Sequence, residues 1–278
     1  MTINWYPGHM VKARREIEEN IKLVDIVTLL LDARAPFSCR NPELEKLANK
    51  KKVIFVLNKM DLASPTATEK YLNDFSRQGY MAVAMDSLSG KGSREVIQAI
   101  KEAFKDQEAE MRRRGRRIRE ARVMVAGVPN IGKSTFLNSL VGKKIAMTGA
   151  KPGITRGKQW VRVRKDIEFM DTPGLMWPKV ESTEQGLKLA LLDIVGERAY
   201  QEYDVALFLI DYLVNRAPQI LQDVFGLTDL EKSSHELLGD IARRRGHLVK
   251  GGALDTDKTC LVLLQEFRKG KLGRLSLD

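Results

Sequence analysis

The chain has only two cysteines in 278 residues, Cys39 and Cys260. Two cannot make a disulfide framework, which points to a reducing compartment. Long apolar runs are missing as well. The stretch DIVTLLL at residues 25–31 falls far short of the roughly 18 residues a membrane helix needs. The opening MTINWYPGHMVKARR lacks the apolar core of a secretory signal, and no Arg- and Ser-rich transit segment precedes Trp5. Membrane and secreted classes are therefore excluded and a cytoplasmic protein is expected. Aromatic residues are scarce, at 6%, which argues against a protein that reads RNA mainly by stacking on bases. Acidic residues are nearly absent from one segment: residues 112–165 hold 16 Lys or Arg against the single Glu120. That segment carries +15, although the whole chain, with 47 basic and 36 acidic side chains, carries only +11. The positive field thus comes from one place, as on a surface that faces a polyanion.

What is present describes a folded protein, with 43% hydrophobic and 30% charged residues. The length suits one large domain or two modest ones. Val11, Ile17 and Ile21 share a helical face over residues 10–22. Apolar runs at 25–31, 52–57, 81–84 and 122–126 read as buried parallel strands. Helices are expected over 94–110 and 135–141, and residues 160–164 and 167–170 read as an antiparallel hairpin. This alternation predicts an α/β sheet covered by helices on both faces. Beyond residue 178 only helical periodicity remains, at 186–200, 205–214, 231–245 and 256–269. Asp255 is an expected N-cap and Gly270 an expected stop. The boundaries that follow are an α/β domain at 1–178 and a small all-helical domain at 179–278.

Between a strand and a helix stands Gly127-Val-Pro-Asn130-Ile-Gly132-Lys133-Ser134, which matches G-x-x-x-x-G-K-S. Two residues without side chains let backbone N–H groups close around phosphate oxygens, and the helix N-terminus adds its positive end. Lys133 is placed to reach the β- and γ-phosphates, with Ser134 directed at Mg²⁺ and Thr135 beside it. Asp171-Thr-Pro-Gly174 ends a strand. Its carboxylate is positioned to hold the Mg²⁺ shell through water, and the Gly174 N–H to meet the γ-phosphate. Thr155, in the Pro-Gly-Ile-Thr-Arg stretch, is the expected further Mg²⁺ ligand, with Thr148 as its competitor. Asn58-Lys59-Met-Asp61 follows another strand. A carboxylate at Asp61 can accept from guanine N1–H and N2–H₂, whereas against adenine it would stand desolvated and unpaired. Asp61 therefore argues for GTP over ATP. Asn58 is expected to bond the base and nearby backbone, Lys59 to cover one face of the ring, and Ser87 to add a second base contact.

Asn58–Asp61 and the serine loop precede the phosphate loop, the reverse of the usual order in GTPases. With the WYPGHM start, the GVPNIGKS loop and FRKGKLG near the other end, this order resembles the ribosome biogenesis GTPase A, or YlqF-type, family of circularly permuted GTPases. The resemblance spans essentially the whole chain. The segment around residues 105–122 would join the ends that the permutation reconnects. The cut would fall behind Gly174, so that γ-phosphate contacts there reposition the helical domain.

Leu175 and Met176 stand where many GTPases have a water-orienting glutamine, so hydrolysis by the protein alone is expected to be weak. The resemblance implies His9 as the replacement, whose imidazole can handle a proton near neutral pH; packing of the N-terminal helix is its other reading. It also implies that Asn130 is a K⁺ ligand, although asparagine also tolerates awkward turn angles. The family implies a monomeric assembly factor acting late in maturation of the large ribosomal subunit. It would bind rRNA and precursor particles in the GTP state, leave after hydrolysis and be stimulated by the subunit. Arg112, Arg113, Arg114, Arg116, Arg117, Arg243, Arg244 and Arg245 would contact phosphates. A GTPase switch recruiting a protein partner without RNA is the alternative, and a nucleotide-binding module with negligible turnover is the third reading.

Overall fold

The computed structural model describes residues 8–142, 160–172, 174–176, 180–196 and 199–278, the side chains of residues 8–10 apart. The chain divides into two compact units, Tyr6–Pro178 with Ser276–Asp278, and Met1–Trp5 with Lys179–Leu275. The first holds a six-stranded sheet made of β1 (Ile26–Asp32), β2 (Lys52–Asn58), β3 (Met81–Met85), β4 (Ala121–Gly127), β5 (Trp160–Arg164) and β6 (Ile167–Asp171). Their spatial order is β3-β2-β1-β4-β6-β5. Every neighbouring pair is parallel except β5 with β6. β1 is buried at all seven positions, and β4 at every position but Arg122, which is why these strands read as apolar runs rather than alternations. Parallel pairing also brings the strand ends to one edge. The register sets Asp32 beside Asn58 and Leu30 beside Gly127, and such an edge is where open α/β sheets place ligands.

The helices of this unit are α1 (Gly8–Asn20), α2 (Pro42–Ala48), α3 (Pro65–Arg77), α4 (Ser93–Arg113) and α5 (Lys133–Val141). α4 packs on β1 through β4, and α5 on β4, β5 and β6. The sequence reading assigns no helix to α2 or α3, yet both start on the same device. Asn41 accepts from the Glu43 and Leu44 N–H groups and Ser64 from Ala67, each followed by a proline at the first helical position. Phe75 of α3, fully buried, lies 4.7 Å from the Phe55 ring and 5.2 Å from the Phe37 ring.

The second unit holds α6 (Thr183–Leu191), α7 (Glu202–Arg216), α8 (Pro218–Phe225), α9 (Ser234–Arg244) and α10 (Thr256–Arg268). α7 is the hub: it packs on the other four and buries Val205, Ala206, Leu209, Ile210 and Leu213. Asp255 caps α10 by accepting from the Lys258 N–H. α6 stops at Leu191, short of the expected residue 200, before Asp193 takes a positive φ of 61°. α8, again opened by a proline, is a helix the periodicity does not reveal. Ser276–Asp278 belongs with the sheet, because Leu277 N–H donates to Arg34 O and the Asp278 carboxylate accepts from the Phe37 and Ser38 N–H groups.

The basic connector between α4 and β4 is stitched to β1. Asp25 accepts from both Arg119 terminal nitrogens, at 2.7 and 2.8 Å, and from the Arg122 N–H at 2.9 Å. Asp25 is nearly buried while Arg119 is 41% exposed, so the carboxylate is the more costly partner to lose. Asp25→Ala, which leaves the Arg122 N–H without this acceptor, should destabilise the chain by about 1–3 kcal/mol, and Arg119→Ala by about 1 kcal/mol or less. Urea denaturation of the two variants checks the order.

Candidate functional site

β4 ends at Gly127 and α5 begins at Lys133, so the phosphate loop hangs between a buried strand and a helix N-terminus. The conformation depends on its glycines. Gly132 sits at φ 98°, and a Cβ there would meet Asn58 Nδ2 at 2.7 Å; one on Gly127 would meet Leu30 O at 2.8 Å. Lys133 Nζ turns back into the loop and donates to Val128 O at 3.0 Å. Burial pushes its ammonium down to about 8 from the ordinary 10.5, with Asp171 pulling the other way. Asp171, at the end of β6, is itself raised by burial, against the influence of Lys133. Gly174 lies close by: a Cβ on it would be 2.8 Å from Pro129 and 3.2 Å from Lys133 Nζ. Leu175 and Met176 are buried, and Leu175 donates its N–H to Gly127 O. Neither can orient water.

The second set of residues comes from β2 and β3. Asn58 Nδ2 donates to Ile131 O at 2.9 Å, and Asn58 Oδ1 accepts from Ser87 Oγ at 2.6 Å. Lys59, at a positive φ of 60°, donates from Nζ to Asn130 O at 3.3 Å. Two consecutive carbonyls of the phosphate loop are thus held by two consecutive residues of the base loop. Asn58, expected to bond the base and nearby backbone, and Ser87, expected as a second base contact, meet through their side chains in this joint. Asn130 takes a positive φ of 56°, in keeping with its turn reading. Burial raises the Asp61 carboxyl, and the nearby Asp86 charge adds to that; two guanine N–H donors would favour its charged form.

Sequence reasoning passed over Asp32 and Arg34. Asp32 ends β1 fully buried and accepts from Arg34 Nε at 2.9 Å and Nη2 at 2.8 Å, with Lys59 Nζ at 3.2 Å. Burial alone would raise this carboxyl, but Arg34 first and Lys59 second hold it well below the usual range. An acidic residue closing an otherwise apolar strand, followed by arginine two positions on, is the signal that could have found the pair.

Among the described residues no group of three or more His, Cys, Asp and Glu could cage a metal by itself. The donors instead suit Mg²⁺, which keeps its waters and leans on substrate phosphates with one or two protein oxygens. Ser134 stands half-buried in the first turn of α5. Asp171 Oδ1 is buried without a hydrogen-bond partner, as an oxygen awaiting a hydrated cation would be. Thr155 and Thr148 lie outside the described residues, as does the side chain of His9, whose backbone starts α1. Arg112–Arg114 pair with Glu108 and Glu110 on α4, Arg243 with Asp240 and Arg245 with Glu266. All eight candidate phosphate-contacting arginines are exposed, and such surface pairs are weak enough to exchange for another anion.

Lys133 supplies a pH test. Folding lowers its pKa, so this group adds stability as pH rises from about 8 towards 10.5 and subtracts it below. Phosphates would favour its charged form. At a pH of about 9, GTP binding should therefore take up close to one proton, and Lys133→Met should abolish the uptake; calorimetry in buffers of different ionisation enthalpy measures it.

A family model described as 50S ribosome-binding GTPase matches residues 122–243, beginning at β4 and leaving out Asn58–Asp61, which precede it here. Ribosome biogenesis GTPase A of Priestia megaterium is 40% identical, covering 100% of this chain and 97% of that protein. Its namesake in Bacillus pumilus is 41% identical, with 100% and 99% covered. The GNP-bound YlqF structure from T. maritima superposes with a TM-score of 0.68 at 28% identity, covering 96% of this chain and 97% of that one. With the phosphate loop, the base loop and their reversed order in place, the chain belongs to the ribosome biogenesis GTPase A family of circularly permuted GTPases.

Proposed function

We propose that this GTPase is an assembly factor acting late in maturation of the large ribosomal subunit, bound to rRNA and precursor particles with GTP and released after hydrolysis. The observation that carries the nucleotide half is the joint between Asn58–Lys59 and the carbonyls of Asn130 and Ile131, which holds base loop and phosphate loop as one site. The ribosomal half is supported by the names of the relatives and by the exposed arginines of residues 112–119.

In this reading Asp61 selects guanine, Lys59 covers the ring, Ser87 stands behind Asn58, and Gly132, Lys133, Ser134, Thr135 and Gly174 hold the phosphates. Ser134, Thr155 and, through water, Asp171 would hold Mg²⁺, which when bound offsets phosphate charge. Asn130 would hold K⁺ at the phosphates, and His9 would orient the attacking water. With Leu175 and Met176 buried at the usual glutamine's place, turnover by the protein alone is slow. The same reading makes the protein a cytoplasmic monomer, with the helical unit, Lys179–Leu275, carrying Arg243–Arg245 to RNA.

GTP hydrolysis measured in K⁺ buffer should rise severalfold or more with purified large subunits and not with small ones. Equal rates with either, despite confirmed GTP binding, would overturn the ribosomal half. Replacing K⁺ by Na⁺ should lower the stimulated rate, and His9→Ala should remove most of the stimulation. Asp61→Ala should bring GTP and ATP affinities within about tenfold of each other, since removing the carboxylate removes the unpaired charge that penalises adenine.

A further inference from the structure

The phosphate-contacting arginines give affinity without engaging a base. One of the chain's few aromatics, however, stands beside another arginine at the sheet edge. Trp160 opens β5, the edge strand, and is 37% exposed, with the Arg122 guanidinium 5.4 Å from its ring centroid. Strand alternation puts Arg162 on the same face as Trp160, while Val161 turns into the core; a register shift after Arg162 then breaks the alternation and pairs Arg164 with Ile167. Among the described residues, Glu120 and Glu168 both pair with Arg162, and Glu168 also reaches Arg122 at 4.0 Å. The connector bearing Arg112–Arg119 leads directly into β4, the strand that carries Arg122.

We infer that the outer face of β5 is a stacking platform for one unpaired RNA base, with Trp160 as the ring beneath it and Arg122 and Arg162 beside it. This rests on the RNA reading above and adds a site to it. A large aromatic left open at a sheet edge is a liability for edge-to-edge association, and arginines around it both block that association and attract a polyanion. A base has a π-face for the indole whatever its identity, and an arginine against the ring adds cation–π attraction. An acidic or apolar protein partner fits less well, because the face offers one ring among charges rather than a continuous apolar patch.

The test is binding of the full chain to a labelled single-stranded RNA dodecamer across a salt series. Trp160→Ala should weaken binding by about tenfold, within the range measured for losing one stacked base, and leave the slope of affinity against salt unchanged. Arg162→Ala should flatten that slope by about one, and Trp160→Phe should retain most of the affinity. Urea denaturation of each variant establishes that it is folded. Wild-type affinity in Trp160→Ala overturns the platform. A wild-type chain that binds large subunits yet ignores the dodecamer overturns it too, while the ribosomal reading stands. A salt-insensitive loss of particle binding in Trp160→Ala, with RNA binding intact, assigns the face to a protein and overturns the inference.

Discussion

The nucleotide site is organised around one buried negative charge. The Asp32 carboxylate has no exposed surface, and an isolated carboxylate there would protonate rather than stay charged. The fork of Arg34 and the ammonium of Lys59 keep it ionised. From it the contacts run outwards. Lys59 reaches on to Asn130 O in the phosphate loop, and Arg34 offers its own carbonyl to the Leu277 N–H. Breaking such a pair by removing one partner typically costs about 3–5 kcal/mol, since the other charge is left buried. Three distant stretches of sequence therefore share one electrostatic anchor, and the base loop cannot shift without disturbing the phosphate loop.

Asp171 presents the opposite condition. It too is buried at a strand end, but its carboxyl is raised rather than lowered, and Oδ1 lacks a hydrogen-bond partner. Lys133 beside it is lowered. A lysine and an aspartate both pushed towards neutrality are poorly served by each other alone. Phosphates would favour the lysine's charged form and a hydrated cation the aspartate's, so this pair is settled by ligand where Asp32 and Arg34 are settled by the fold. The contrast separates a carboxylate that holds the architecture from one that is held ready.

The connector shows a similar division of labour. Arg119 is used to clamp Asp25, while its neighbours on the same run face solvent. Composition treats these arginines alike; only the position of Asp25 distinguishes the structural one. Trp160 is the converse, a residue type that counts in composition as too rare to matter and that the sheet edge places among arginines.

Local chemistry determined much of this protein from sequence alone. Buried parallel strands are apolar runs, so β1, β2 and β4 were legible within a residue or two. The phosphate loop was legible because its glycines and lysine answer to phosphate geometry within eight consecutive positions, Gly127 to Ser134. The permuted order needed nothing but reading direction. Helices α2, α3 and α8 were passed over: α2 and α8 are short, and all three open on prolines whose place at a helix start shows only once the helix exists. Tertiary structure alone decided that Asn58 and Ser87 bond each other, that Asp32 joins Lys59 to Arg34, and that Ser276–Asp278 returns to the sheet unit. Each depends on strand register and chain return, which bring together residues up to 243 positions apart. A sequence pattern records which residue lies next along the chain, and burial makes partners of residues that are next only in space.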